Sequence, residues 1–343
     1  MVEKKVLIKK ENIETDSRYG KHPEERTINE LLKSSLVNLD KPSGPSSHQA
    51  SDYVKKILHV NKAGHSGTLD PMVTGILTVA IGDATKTVQA MLLVEKVYVA
   101  VMHLHKEISS EKLKKAFDKF IGEIEQMVPV RAAVKRQLRK RKIYSIKLIE
   151  FDHVNKDVLF EVSCQAGTYV RKLIHDIGQF LKVGAHMTEL RRIRVGQFNE
   201  DRNLVTLQDL ADAYYFWNSS NPKENTKGEK LLKKYLMPVE ACVEHLPKIW
   251  IYDSAVNSLC TGQTLKVPGI IRLNEFDKEK MIAIMTLKNE LVALGQSLMS
   301  SDEIMKNEKG IAAKSLRVIM EKDVYLLPKP LVDIDEKSVG KLE

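Results

Sequence analysis

The chain has 343 residues, 43% of them hydrophobic, and carries a formal net charge of +9. That length accommodates two or more domains with real cores, and the positive balance favours a polyanionic partner while also promoting solubility. No apolar run approaches the roughly 20 residues of a membrane span. The N-terminus is charged and lacks a signal core, and Cys164, Cys242 and Cys260 stand too far apart for a disulfide framework or a metal pair. A soluble protein of a reducing, cytoplasmic compartment, with no metal and no membrane contact, is therefore expected.

Residues 1–33 are polar and highly charged, with Val6-Leu7-Ile8 as the early apolar cluster, and read as an extension that packs on another part of the chain. Leu36-Val37-Asn38-Leu39-Asp40 predicts a short strand. Lys41-Pro42-Ser43-Gly44-Pro45 breaks it, and Ser46 or Ser47 then caps a helix with Ala50, Val54, Ile57 and Leu58 on one face. Lys41 has two readings: a solvated loop cation, or a lysine beside a phosphate or an active turn.

His65-Ser66-Gly67-Thr68-Leu69-Asp70-Pro71 is the stretch around which the rest is organised. Pro71 drives Asp70 away from helical angles, so the carboxylate sits on a turn. The uncharged run Thr74 to Ile81 predicts a buried element behind it. Asp-Pro is an ordinary turn starter; the functional alternative is one acid held rigidly at a cleft. Lys96 to Met102 alternates as a strand, with Tyr98 opposite Val97 and Val99, either as packing or as a platform for a base.

Ser110 is expected to cap an amphipathic helix bearing Leu113, Ala116, Phe117 and Phe120, with Gly122 as its stop. Arg131, Lys135, Arg136, Arg139, Lys140, Arg141 and Lys142 then follow without an acid among them. Such a run is either a solvated face or a contact to nucleic acid. Ile143 to Phe151 and Val158 to Cys164 read as strands joined by a turn. Val170, Leu173, Ile174, Ile177, Phe180 and Leu181 form a helical stripe. Arg171 lies off it in the first turn, where the helix dipole disfavours a cation; that misfit hints at an anionic partner. Gly184 to Arg194 adds a second basic cluster. Leu204 to Trp217 reads as a helix, and Asn218 to Lys230, with Pro222 and Gly228, as an exposed loop. From Lys248, short alternating strands predict a small β-rich domain ending near Tyr325.

Several chemistries are absent from the sequence. It has no phosphate-binding glycine loop and no zinc-spaced His or Cys pair, and Thr68 stands where a nucleophile elbow needs glycine. A turn aspartate, one or two tyrosines, an arginine and abundant positive charge remain, a set that needs no cofactor.

Leu39-Asp40-Lys41-Pro42, Gly64 to Pro71, Ala166-Gly167-Thr168-Tyr169-Val170-Arg171 and Gly184 to Arg192 resemble, in order, the motifs of the TruB family of pseudouridine synthases. Lys135 to Arg139 and Gly262 to Ile270 narrow the resemblance to the dyskerin branch, and the compact length is like that of archaeal members. The resemblance implies an α+β protein. Its catalytic domain, residues 34–246, has a large mixed, mostly antiparallel sheet flanked by helices; a small β-barrel PUA domain over 247–326 and a tail over 327–343 follow. Residues 1–33 would pack on the PUA domain. Asp70 matches the catalytic aspartate, Tyr98 the residue stacking on the target base, and Arg171 the arginine pairing with the carboxylate. Tyr169 and Leu190 match active-site walls, Lys41 and Pro42 a support motif, and His65 the residue that fills the gap left by a flipped nucleotide. RNA contacts are implied for the basic run, Arg191 and Arg192, and for Gly262, Leu265, Pro268 and Gly269.

By the same resemblance the protein is the RNA-isomerising subunit of a box H/ACA guide ribonucleoprotein. Its partners would be a guide RNA, three other core proteins and rRNA substrates, and it would also act alone on the T-arm uridine of tRNA. The alternative is a non-catalytic RNA-binding scaffold of the same fold, which need not retain Asp70, Tyr98 and Arg171 together. Gln126-Met127-Val128-Pro129-Val130 departs from the Arg-Pro-Pro stretch commoner in relatives.

Overall fold

The computed structural model describes residues 4–127 and 137–326. Arg131, Lys135 and Arg136 of the basic run, and the tail over 327–343, lie outside the described residues. The chain divides into two compact units, residues 24–246 and residues 1–23 with 247–343.

The larger unit is built on an eleven-stranded mixed sheet. Its main path runs Leu204–Val205, Ser34–Lys41, Thr74–Gly82, Ala185–Val195, Lys96–Leu104, Asp157–Cys164, Leu138–Asp152 and Gly122–Met127. Two of its pairings are parallel, 204–205 with 34–41 and 74–82 with 185–195; the others are antiparallel. The Thr74–Gly82 strand is buried along nearly its whole length. That explains an uncharged run without alternation: both faces are covered.

Two cores of this unit are visible among the described residues. In one, Val37, Leu39, Leu77, Val79 and Ile81 of the sheet meet Ala50 and Val54 of the Ser47–Ile57 helix, its C-terminal cap Leu58, and Leu210, Ala213 and Leu232 of two later helices. In the other, Tyr98, Ala100, Met102 and Leu104 share one face of their strand and pack under Leu113, Ala116 and Phe117 of the Ser110–Phe120 helix. Val170, Leu173, Ile174 and Ile177 of the Val170–Phe180 helix close the same core. Each buried Val, Leu, Ile, Phe or Met among them contributes about 1.5–3 kcal/mol. Leu69 and Val73, on either side of the Asp70 turn, are part of this second core.

Several expectations are corrected. Residues 218–230 are not a loop: Pro222–Tyr235 is a helix, with Asn221 as its cap and Pro222 in its first turn. Proline pre-sets the first helical residue and needs no amide partner there, so here it starts a helix instead of breaking one. The cap of the 110–120 helix is Ser109, not Ser110. The N-terminal segment divides at 23/24, with Ile28 and Leu31 already in a core of the larger unit. The basic run is also less isolated than its sequence suggests. Its described part forms the start of the Leu138–Asp152 strand, and Lys142 and Lys140 lie opposite Glu123 and Glu125 of the neighbouring strand.

The smaller unit is a seven-stranded sheet in the order Val6–Ile8, Ile270–Asn274, Lys248–Ile251, Met281–Met285, Leu291–Ser297, Ile311–Val318 and Leu265–Lys266. The N-terminal strand pairs antiparallel with 270–274. Behind it, the Lys288 ammonium donates to the Asp16 carbonyl at 2.9 Å and to that of Tyr19, and Asp253 accepts from Thr15 Oγ1 at 2.8 Å and from the Asp16 amide at 2.9 Å.

Candidate functional site

The Asp70 turn is gripped at every second residue. The Ser47 hydroxyl accepts from the Leu69 amide at 2.7 Å and donates to the Leu69 carbonyl at 3.0 Å. The Pro71 carbonyl accepts from the Gly44 amide at 3.0 Å and from Lys41 Nζ at 2.9 Å. Lys41 Nζ also donates to the carbonyls of Val73 and Pro42, at 2.9 and 2.8 Å. Backbone closure comes from the Val73 amide to the Asp70 carbonyl at 3.0 Å. With Leu69 and Val73 sunk into the core, residues 70–72 between them are left exposed. Asp70 is exposed and Met72 is 76% exposed.

Asp70 meets one cation directly: Arg171 Nη2 forms an ion pair with Asp70 Oδ2, with both side chains about half exposed. Arg171 reaches it from the second residue of the Val170–Phe180 helix, so the cation misplaced against the helix dipole has its anion. The residue before that helix, Tyr169, is fixed through its backbone. Its amide donates to Gln126 Oε1 at 3.0 Å and its carbonyl accepts from Gln126 Nε2 at 3.2 Å. Gln126 is buried, and one primary amide here satisfies both backbone polar groups of a single residue.

Beneath the turn lies a set of buried cations with no carboxylate partner among the described residues. Arg192, 1% exposed, donates from Nε to the Ile76 carbonyl at 2.8 Å and from Nη2 to the Gly67 carbonyl at 3.2 Å. Lys41 is fully buried, and burial first, then Arg192, holds its ammonium below the usual range. Lys96 donates to the carbonyls of Leu92 and Val94, both at 2.8 Å, and burial with help from Arg192 brings its pKa down to about 8. Backbone carbonyls stand where acids would be expected, a polar solution that leaves net positive charge inside. Gly75 makes room for this arrangement. Its φ is +96°, and a Cβ there would lie 2.3 Å from the Arg192 carbonyl oxygen.

Tyr98 stands opposite Arg192 across the sheet and is 8% exposed. Burial raises its phenol pKa, with the Arg192 guanidinium pulling the other way. His65 is half-buried on the short Ala63–His65 strand; burial, Arg192 and His48 lower its pKa, and so favour the neutral ring. Leu190 lies partly buried against the core that holds Tyr98.

The structure thus brings together Asp70 and Arg171, with Lys41, Pro42 and Tyr169 around the same turn and Tyr98 beneath it. Two expected RNA contacts are engaged within the fold. Arg192 is enclosed. Arg191 is bound by Asp40, with two hydrogen bonds of 3.0 Å, and by Glu200 at 2.7 Å. Arg139, Lys140, Arg141 and Lys142 lie on the strand facing Gly122–Met127, with Lys140 paired to Glu123 at 2.8 Å. In the smaller unit, Gly262 and Pro268 are exposed, Gly269 is half-buried, and Leu265 is a core residue. Ser47 and Gln126 were missed by sequence reasoning. The signal for Ser47 was its pairing with Ser46, since a helix needs one cap and leaves the second hydroxyl for other use.

Four family models match the chain: TruB family pseudouridylate synthase (N-terminal domain) over residues 55–170, tRNA pseudouridylate synthase B C-terminal domain over 171–244, PUA domain over 247–319, and DKCLD (NUC011) domain over 1–51. A protein of Pyrococcus horikoshii described as "Probable tRNA pseudouridine synthase B" is 50% identical over 94% of this chain and 95% of its own length. One of the same description from Nanoarchaeum equitans is 51% identical over 93% and 89%. Among solved structures, a chain of a Cbf5-Nop10-Gar1 complex matches with a TM-score of 0.88 and 49% identity, covering 94% of this chain and 96% of that one. A chain of an H/ACA RNP bound to a substrate RNA containing 2′-deoxyuridine matches with a TM-score of 0.87 and 48% identity, covering 95% and 97%.

Proposed function

This chain belongs to the TruB family of pseudouridine synthases, and from that premise we propose that Asp70 carries the isomerisation of uridine to pseudouridine in RNA, with Arg171 and Tyr98 beside it. In that reaction the bond from uracil N1 to the ribose C1′ breaks, the base turns, and C5 bonds to C1′. The C5 proton leaves and N1 gains one. The target uridine must first leave its stack, at a cost of a few kcal/mol. Arg171 keeps the Asp70 carboxylate ionised and aimed, because an opposite charge in contact favours the charged form. Tyr98 is a protonated, preorganised wall against the base, since its burial disfavours the phenolate. Tyr169, Leu190, His65, Lys41 and Pro42 shape and support the pocket.

The observation that carries the assignment is the Asp70–Arg171 pair on a turn clamped from three sides. We assign the chain to a box H/ACA ribonucleoprotein as its catalytic subunit, with guide RNA and three further core proteins, acting on rRNA. The likeness to the chains of a Cbf5-Nop10-Gar1 complex and of a substrate-bound H/ACA RNP supports this. Relatives described as tRNA pseudouridine synthases support a second, guide-free action on tRNA. No helix among the described residues is long and apolar enough to cross a membrane, and the archaeal particle it resembles supports a cytoplasmic site of action.

The test is tritium release from RNA labelled at uridine C5, for wild type and Asp70→Asn, on tRNA alone and on a guide–target pair with the partner proteins. Asp70→Asn is expected to abolish release while RNA affinity stays within a few-fold. Full activity in that variant would remove Asp70 from the chemistry. Release from neither RNA by wild type, with RNA still bound, would favour a scaffold.

A further inference from the structure

The Pro222–Tyr235 helix carries Lys223, Lys227, Lys230 and Lys234, spaced by four, three and four residues. That spacing puts them on one helical face, and all four are exposed. The stripe runs about 16 Å, from the rise of 1.5 Å per residue. The two acids of the helix are engaged elsewhere: Glu224 accepts from the Ser219 hydroxyl at 2.6 Å, and Glu229 pairs with Lys233. Among the described residues none of the four lysines bonds a carboxylate. Lys223 sits in the first turn, where the dipole opposes a cation, and like charges three and four apart repel. Within the fold the stripe finds only ring contacts, Lys227 over Phe216 and Lys234 over Tyr235, and no carboxylate among the described residues.

An aromatic surface adjoins the stripe. Lys227 Nζ lies 4.4 Å from the Phe216 ring centroid, and Phe216 is in edge contact with Tyr215, which is 72% exposed. Gly228 lets the helix approach this aromatic run closely, since a Cβ there would lie 2.1 Å from the Trp217 amide nitrogen. The helix carrying Tyr215 packs against both the Ser47–Ile57 helix and the lysine helix. The stripe is therefore two helices removed from the Asp70 turn, on the far side of one of the unit's cores.

We propose that Lys223, Lys227, Lys230 and Lys234, with Tyr215 as a stacking face beside them, form a second RNA-binding surface that grips the phosphate backbone of RNA extending beyond the segment held at Asp70. Phosphates answer an unpaired cation row, and an exposed ring beside it suits a base at a helix end or in a single strand. The proposal rests on the RNA reading above for the polyanion, not on Asp70 for catalysis.

The experiment measures, by fluorescence anisotropy across a KCl series, the affinity of the full chain for two probes: a full-length tRNA transcript and a short stem–loop containing one target uridine. The variants replace all four lysines by Gln or by Arg, with circular dichroism as a check of folding. For the Gln variant we expect roughly tenfold weaker binding of the long RNA and a salt slope smaller by about 3, from about 0.7–0.9 for each phosphate no longer neutralised. Stem–loop binding and tritium release from it should be unchanged, and the Arg variant should restore long-RNA binding. Unchanged affinity and slope for the long RNA would overturn the surface while leaving the Asp70 reading intact. Equal weakening of both probes would overturn its independence from the Asp70 cleft. Loss of binding to phosphatidylserine vesicles, with RNA binding kept, would overturn RNA as its ligand.

Discussion

The Asp70 carboxylate owes its position to residues that never face it. Ser47 holds Leu69 by two hydrogen bonds, one to each polar group of the residue before the acid. Ser47→Ala leaves a buried amide and carbonyl unpaired, a loss of about 1–3 kcal/mol. We expect tritium release to fall ten- to a hundredfold with KM for RNA nearly unchanged; a rise in KM alone would mean that Ser47 serves the RNA surface instead. Lys96 makes a pH prediction. Its pKa is about 8 in the fold and near 10.5 when unfolded, so between those values the unfolded chain binds the extra proton and stability rises with pH. Each pH unit in the window is worth up to about 1.4 kcal/mol. Urea midpoints of wild type should climb from pH 8 towards pH 10 relative to those of Lys96→Arg, which does not titrate there; parallel curves would place the Lys96 ammonium in water.

At the scale of elements, the close crossing of the Thr74–Gly82 and Ala185–Val195 strands fixes the floor of the site. Gly75→Ala puts a methyl against the Arg192 backbone in a left-handed conformation, and both effects destabilise. An expected loss of about 2 kcal/mol or more, on the order of the larger single-mutant effects, is checked by chemical denaturation, and a change under about 0.5 kcal/mol, the size of an ordinary surface substitution, would show that the strands can part there. Much at this scale was legible in the sequence. Alternation around Tyr98, the stripe from Val170 to Ile177 and the Asp-Pro turn each report local geometry, because period and proline act over a few residues. Arg171 was legible as a cation in the wrong turn of a helix. What escaped were pairings between distant segments: Glu123 and Glu125 opposite the basic run, the two acids around Arg191, and Gln126 on Tyr169. Arg192 was read as an RNA contact and Lys41 left open between a solvated cation and a support for the turn, yet carbonyl groups from separate segments enclose both. The Pro222 helix failed for a different reason, since a proline reads alike at a break and at a start.

At the scale of the whole molecule, the N-terminal segment up to residue 23 and the segment from 247 form one unit while residues 24–246 form the other. Removing residues 1–23 would strip an edge strand from the 270–274 strand and leave the Lys288 ammonium without the carbonyls of Asp16 and Tyr19. Hydrogen exchange is expected to accelerate across Met281–Met285 and Leu291–Ser297 in that truncation but not across Lys96–Leu104. Equal protection in both forms would make the N-terminal segment dispensable to the smaller unit. The buried cations under the Asp70 turn have a consequence for how the enzyme responds to its medium. Dissolved ions screen charges they can surround, and Lys41 and Arg192 are closed to them. Raising ionic strength should therefore weaken the hold on RNA and loosen the half-exposed Asp70–Arg171 pair, while the part of the field that Lys41 and Arg192 set stays as it was. Potassium chloride would then act on this enzyme first as a brake on capture, with turnover at saturating RNA falling far less than affinity.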